Sequence, residues 1–376
     1  MSPAGQYGSP YREDPGKALP IALLGLTFDP VSSAQAQAFI TGAIQSRQKL
    51  VFATPNVNFA AAAAHDRVFR SQVLGCGMSV ADGMPLVWIS RLLGLGIPER
   101  VAGSSLFESL QRAETTRPLR VFFFGGDPGV AEAASAAIAA GSRGMTPAGH
   151  FDPGRGSVED MSSDGIIERI NAAQADFLCV ALGAVKGHHW IARNAARLDV
   201  PVISHLGAVV NFVAGRISRA PAWMQQCGLE WMWRILQERS LLRRYLRDAW
   251  WLAGAFATQV LPARIDRLRR PSSIRAFRWS IREDANGEQL LRLHGDLTRD
   301  ALLQDAGIRN FLKPDTALIT VDLEDTGRLD SEGVAWLLRF CYSGTPGAPI
   351  RLRGARAETM RSLRLYGAGF IIKEFA

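Results

Sequence analysis

Short apolar runs alternate with alanine- and leucine-rich stretches of helical period through most of the chain, and the polar groups that stand out fall where the apolar runs stop. Leu50 to Ala53 reads as a buried strand. It ends in Thr54-Pro55-Asn56, where the proline biases Thr54 toward an extended backbone and a helix can begin after it. Phe59 to Val73 then reads as helix, Met78 to Ala81 as a second strand run closed by Asp82-Gly83, and Pro85 to Gly94 as another helix. The rhythm returns at Val121 to Gly126 and at Leu178 to Gly183. Strands alternating with helices predict a Rossmann-like open α/β sheet, in which ligand groups gather at the carboxyl ends of the strands.

Candidate chemistry follows from those strand ends. A carboxylate followed by glycine, as at Asp82-Gly83, either caps a helix or acts as a general base within reach of a bound hydroxyl. The loop after the next helix carries Arg100, Gly103 and Ser104, groups suited to a phosphate or an acidic sugar. Thr54-Pro55-Asn56, Ala81-Asp82-Gly83 and Glu99-Arg100-Val101-Ala102-Gly103-Ser104, in that order and spacing, resemble the WecG/TagA/CpsF family of bacterial glycosyltransferases. Val121 to Gly129, Leu178 to Ala184, Arg219-Ala220-Pro221, Gly228-Leu229-Glu230-Trp231 and Arg243-Arg244-Tyr245 extend the resemblance over about residues 18 to 246.

The resemblance implies an inverting, metal-independent and cofactor-free transfer of a sugar from a nucleoside diphosphate donor, a UDP-sugar, to a polyprenyl-pyrophosphate-linked acceptor in cell-surface polysaccharide synthesis. It carries the catalytic base to Asp82, the active-site turn to Thr54 and Asn56, and the arginine beside the substrate phosphates to Arg100. Gly125, Gly126, Gly183 and Ala184 would let backbone approach the nucleotide, although a glycine that ends a strand can be a turn and no more. Where the family reads GAPKQE, this chain has Gly183-Ala184-Val185-Lys186-Gly187-His188. The position of a glutamine taken to contact substrate is therefore Gly187, so either the donor sugar differs or His188 or His189 supplies the contact, with Lys186 beside them. Asn211 stands where an aspartate is common. Adjacent histidines do not share a helix face, and no carboxylate or cysteine stands at ligand spacing, so a metal site is not expected.

Charge adds a second feature. The net charge of +8 is concentrated between residues 234 and 270, with nine arginines against three acidic residues, while the chain on either side is nearly balanced. Those arginines flank Ala249-Trp250-Trp251-Leu252-Ala253-Gly254-Ala255-Phe256-Ala257, which is too short to span a bilayer, for which roughly 20 apolar residues are needed. Basic residues around a tryptophan-containing apolar stretch predict a helix lying on an anionic lipid surface, the alternative being a helix whose tryptophans pack on another subunit or domain. The resemblance places Arg234 and Arg244 beside the diphosphate, which would make membrane docking and completion of the site one event. No nucleic-acid motif accompanies the arginines, so nucleic acid is not expected as a partner.

With 376 residues there is room for a second domain. After the linker Pro271-Ser272-Ser273, Leu290 to Leu293 and Ala317 to Leu323 read as strands, Arg299 to Phe311 as helix, and Leu329-Asp330-Ser331-Glu332-Gly333 as a turn leading into an apolar-faced helix. Residues 275 to 376 resemble a STAS domain, a small α/β fold whose turn carries a phosphorylatable serine. Here Glu332 occupies that position, which predicts a docking or scaffold domain for a protein partner, with Asp330 and Ser331 capping the helix. Residues 1 to 17 read as a disordered lead, Asp152 to Asp164 as a loop able to move over the site, and the four scattered cysteines as buried thiols of a reducing cytoplasm. Two functions follow: a peripheral glycosyltransferase at the cytoplasmic face of the bacterial inner membrane, or a catalytically impaired scaffold of the same fold, as Gly187 and Asn211 would allow.

Overall fold

The computed structural model describes residues 19–114, 117–221, 223–224, 228–239, 241–269, 274–283, 288–309, 311, 318–342 and 350–376. The expected disordered lead and the linker 271–273 lie outside the described residues. A two-stranded antiparallel hairpin, β1 (Ile21–Leu23) and β2 (Leu26–Phe28), opens the fold, and α1 (Ser33–Gln45) follows behind a reciprocal Ser32/Gln35 cap. The alternation read from the chain then becomes β3 (Leu50–Ala53), α2 (Val57–His65), α3 (Arg67–Leu74), β4 (Met78–Ser79), α4 (Met84–Leu93), α5 (Gly103–Arg112), β5 (Leu119–Gly125), α6 (Val130–Gly141), β6 (Met145–Phe151), α7 (Asp164–Ala172), β7 (Phe177–Ala181), α8 (Ala184–Asn194), β8 (Val202–His205) and α9 (Gly207–Val213). The helix expected from Phe59 to Val73 is two helices. Asp66 ends the first and its carboxylate accepts from Phe69 N to start the second.

The six strands β3 to β8 form one parallel sheet in the order β4-β3-β8-β7-β5-β6. Side chains alternate across it. Val51, Ala53, Phe122, Phe124, Val180 and Ile203 enter one core, and Phe52, Val121, Phe123, Phe177, Cys179 and Val202 the other. Both faces are covered by helices, which is why the strands read as continuous apolar runs. The chain leaves β3 toward β4 on one side and β5 toward β6 on the other, so the carboxyl ends of β3, β8 and β7 stand at the kind of position where open α/β sheets receive ligands.

Three helices cross from this sheet to the rest of the chain: α10 (Glu230–Gln237), α11 (Leu241–Ala255) and, beyond a π turn at Phe256–Val260, α12 (Leu261–Leu268). A second sheet then forms from β9 (Arg278–Glu283), β10 (Gln289–Leu297), β11 (Ile319–Asp322), β12 (Thr326–Leu329) and β13 (Ile350–Arg353). Its order is β12-β10-β11-β13, and β9 lies antiparallel on β10. The helix expected at 299 to 311 is broken into α13 (Arg299–Gln304) and α14 (Ala306–Arg309), because Asp305 caps the second by accepting from Ile308 N. α15 (Ser331–Tyr342), α16 (Ala357–Leu365) and α17 (Ile371–Glu374) complete this half.

α15 packs on β1 and β2, and a single buried cluster runs from Leu23 and Leu26 to Val334 and Leu338. Asp330 caps α15 as expected, its Oδ1 accepting from Gly333 N at 3.0 Å. Ser331 does not. Its hydroxyl is fully buried against β1, where it accepts from Ala22 N at 3.0 Å and donates to Ala22 O at 2.9 Å, occupying the outer edge of that short strand.

Candidate active site

The turn after β3 holds Thr54 and Asn56 where the sequence pattern puts them. Thr54 is buried, and the Asn56 side chain accepts from Phe59 N at 3.2 Å, so it caps α2. Asp82 follows β4 at the same edge of the sheet, fastened by its own N–H, which donates to Pro55 O at 2.9 Å. The helix that starts next, α4, takes Gly83 as its cap and uses no side chain. The Asp82 carboxylate turns instead to α5 and accepts from Gly103 N, the first residue of a helix that also lacks a side-chain cap. Cap and base are therefore compatible readings of one group.

The surrounding charges define the electrostatics. Burial pushes the Asp82 carboxyl up to about 6; the Arg100 guanidinium opposes the rise, the Glu230 carboxylate adds to it, and the Gly103 N–H and Arg234 oppose it further. Arg100 Nη1 lies 3.0 Å from Glu230 Oε2, and Arg219 Nη2 lies 3.8 Å from Glu230 Oε1 while it also pairs with Glu108. Glu230 and Arg234 are one turn apart on α10, so this helix brings an acid and a base to the rim together. On sequence, Glu230 is named only within Gly228-Leu229-Glu230-Trp231 and is given no part in the site, whereas in the structure it is the ion-pair partner of Arg100. The signal was present as an acid four residues before Arg234.

Other expected residues fall further from this cluster. Gly125 and Gly126 lie at the end of β5 against β7, and Gly126 N donates to Ala181 O at 2.8 Å, so both are used in packing strand on strand. Gly183 caps α8 and is exposed, with Ala184 behind it. Lys186 Nζ donates to Gly156 O at 2.6 Å, which ties down the loop expected to move over the site. Trp190 Nε1 and Asn194 Nδ2 hold the end of that loop, through Met161 O and Ser162 Oγ. His188 is a correction. It faces the core, 2% exposed, with its ring edge-on to Phe59 and Phe69, so it cannot take over a substrate contact at the cleft. Arg244 stacks over Tyr245 at 5.4 Å, and Tyr245 in turn meets Trp231 of α10. Among the described residues there is no group of three or more His, Cys, Asp or Glu side chains that could hold a metal ion.

The match to a known family is broad. Residues 21–266 match the glycosyl transferase WecG/TagA/CpsF family. The chain belongs to this family. It is accordingly a glycosyltransferase, and the match includes the six-stranded sheet, α10, α11 and most of α12. Two relatives are named N-acetylglucosaminyldiphosphoundecaprenol N-acetyl-beta-D-mannosaminyltransferase. The protein of Bacillus spizizenii strain W23 is 28% identical over 197 residues, 52% of this chain and 74% of the relative. That of Staphylococcus aureus strain MW2 is 24% identical over 228 residues, 60% of this chain and 88% of the relative. By their names, those proteins act on a polyprenyl-diphosphate-linked N-acetylglucosamine acceptor.

Proposed function

We propose that this glycosyltransferase moves a sugar from a UDP-sugar to an acceptor carried on polyprenyl pyrophosphate, with inversion at the anomeric carbon. Asp82 takes the proton of the acceptor hydroxyl, the oxygen forms a bond to the anomeric carbon from the face opposite the diphosphate, and the bond to the diphosphate oxygen breaks. Arg100 and Arg234 meet the charge that the leaving diphosphate acquires. The observation that carries this reading is the Asp82 carboxyl itself, raised to about 6, oriented by the Gly103 N–H, and placed within the fields of both arginines. Thr54 and Asn56 shape the turn beneath it. The named relatives support the class of acceptor. Retention of the base with its arginines speaks against the scaffold reading. Transfer from a UDP-sugar to a polyprenyl-pyrophosphate N-acetylglucosamine, lost in Asp82→Asn with the fold intact, is the expected result; no transfer by the native chain with any donor would overturn it.

We further propose that α10 to α12 lie on anionic lipid at the cytoplasmic face. Among the described residues no helix is long and apolar enough to cross a membrane. Leu242, Leu246 and Trp250 recur at four-residue spacing on α11 and are exposed, Trp250 at 83%, with Arg243 and Arg247 exposed beside them. Leu261, Ile265 and Leu268 on α12, and Trp88 and Leu92 on the neighbouring α4, are exposed as well and would add to such a lipid face. Trp88 and Leu92 were not expected from sequence, because alone on one helix they are unremarkable. The C-terminal half is proposed as a STAS-like unit whose docking partner, at the Ser331 face, is the glycosyltransferase part of the same chain.

A further inference from the structure

α5 carries more of the candidate site than its first residue. Gly103 N, at its start, donates to the Asp82 carboxylate, and further along the same helix Ser105 and Glu108 both hold Arg219, whose Nη2 donates to Ser105 Oγ at 3.1 Å. Arg219 Nη2 also lies 3.8 Å from Glu230 Oε1, and the other oxygen of that carboxylate, Oε2, accepts from Arg100 Nη1 at 3.0 Å. Charges therefore alternate from Glu108 through Arg219 and Glu230 to Arg100. Arg100 stands three residues before α5, so the series closes on the helix that orients Asp82. The Arg100 and Glu230 side chains are only 15% and 12% exposed, which sets this pair apart from the screened surface pairs that contribute little. Elsewhere α10 is tied to Ser218, whose carbonyl accepts from Trp233 Nε1 at 3.2 Å and from Gln237 Nε2 at 3.0 Å. Glu230 is the residue through which α10 reaches Arg100. A guanidinium presents its five N–H groups in a rigid fork, so fixing one edge of it fixes the direction of the rest.

We infer that Glu230 is a positioning residue for the transfer reaction, its carboxylate holding the Arg100 guanidinium in place before the diphosphate arrives. The inference rests on the reading of Arg100 as a group that meets the charge of the leaving diphosphate. Glu230 supplies two things that can be separated. Its oxygen holds Arg100, while its charge is felt at Asp82, where it acts with burial to raise the carboxyl to about 6 against Arg100, the Gly103 N–H and Arg234. Arg219 and Glu108 are the other charged groups joined to the cluster.

Steady-state kinetics across pH test it on the full chain, with UDP-N-acetylmannosamine, UDP-N-acetylglucosamine or UDP-glucose as donor, whichever the native chain turns over best, and polyprenyl-pyrophosphate N-acetylglucosamine as acceptor. In Glu230→Gln the acid limb of kcat/KM moves to lower pH by roughly 0.5 to 1, because Arg100 and Arg234 then act on Asp82 with no carboxylate opposing them. The Gln Oε1 still accepts from Arg100, so kcat on the alkaline plateau falls only about threefold. In Glu230→Ala the limb moves as far, and the plateau kcat falls about tenfold or more, the worth of a hydrogen bond to a charged group, with donor KM changed less. An acid limb that stays near pH 6 in both variants of an active enzyme overturns the inference. So does a plateau that falls equally in both together with the melting temperature, which marks a structural ion pair. A native chain that transfers sugar from no donor overturns the proposed function, and this inference with it, a result distinct from an unmoved limb in an active chain.

Discussion

Asp82 carries opposing demands that a single measurement can separate. As a base it must be ionised, so kcat/KM is expected to fall about tenfold per pH unit below about 6 and to level off above it, read from a pH profile with saturating acceptor. As a partly buried acid with a raised folded pKa, it binds its proton more tightly in the folded chain than in the unfolded one. The fold is therefore stabilised below the unfolded pKa and loses that contribution as pH rises through about 6. Asp82→Asn keeps an oxygen to accept from Gly103 N and removes the ionisation cost. Its activity should drop about 10²- to 10⁴-fold while its melting temperature at pH 8 equals or exceeds that of the native chain; a lower melting temperature would mean that the carboxylate is needed for structure. Thr54, Asn56, Asp82 and Arg100 were legible because each sits at the end of an apolar run or in a motif. The pairing of Glu230 with Arg100 was not, because it forms across the fold, although Glu230 itself stood in the Gly228-Leu229-Glu230-Trp231 motif. His188 misled for the same reason, since a histidine on a helix does not declare which face turns to the core.

At the scale of elements, a buried polar contact fixes α11 to the catalytic part of the chain. Asn58 Nδ2, on α2 just beyond the active-site turn, donates to both oxygens of the buried Asp248, at 3.2 and 2.9 Å. Asn58→Ala should cost about 1.5–3 kcal/mol, the worth of hydrogen bonds to a charged group, measured by denaturant unfolding. Activity on a lipid-linked acceptor should suffer more than donor binding, because the displaced helix bears the proposed lipid face. That face has its own test. Leu246→Glu with Trp250→Glu leaves the core untouched, since both side chains are exposed, and should release the protein from vesicles containing anionic lipid with no change in melting temperature. Vesicle binding equal to that of the native chain would return these residues to a contact with another protein. The apolar face of α11 was visible in sequence as tryptophans between arginines; its extension over α4 was not, because it depends on α12 packing across the end of that helix.

At the scale of the whole molecule, the two sheets are joined by charge as well as by core. Asp29, fully buried at the end of the hairpin, accepts from Arg339 Nη2 of α15 at 2.8 and 2.9 Å, and from Ser79 N of β4 at 2.7 Å. Glu374 pairs with Arg70 of α3 and bonds Tyr342, and Asp266 of α12 pairs with Arg328 and Arg361. None of these partners could be assigned from sequence, since they lie about 30 to 310 residues apart. Asp29 thus couples the C-terminal half to β4, the strand that leads directly to Asp82. Arg339→Ala would leave a buried carboxylate without its counter-charge, a loss of about 3–5 kcal/mol. Arg339→Ala with Asp29→Asn removes both charges and should recover much of that loss. Calorimetry of the native chain should give one transition, because α15 and the hairpin share a core and neither half keeps its apolar surface covered without the other. Two well-separated transitions, or a glycosyltransferase part that keeps its melting temperature and turnover after removal of residues 275–376, would show that the C-terminal half is a detachable module and that the Asp29 link carries nothing to the site.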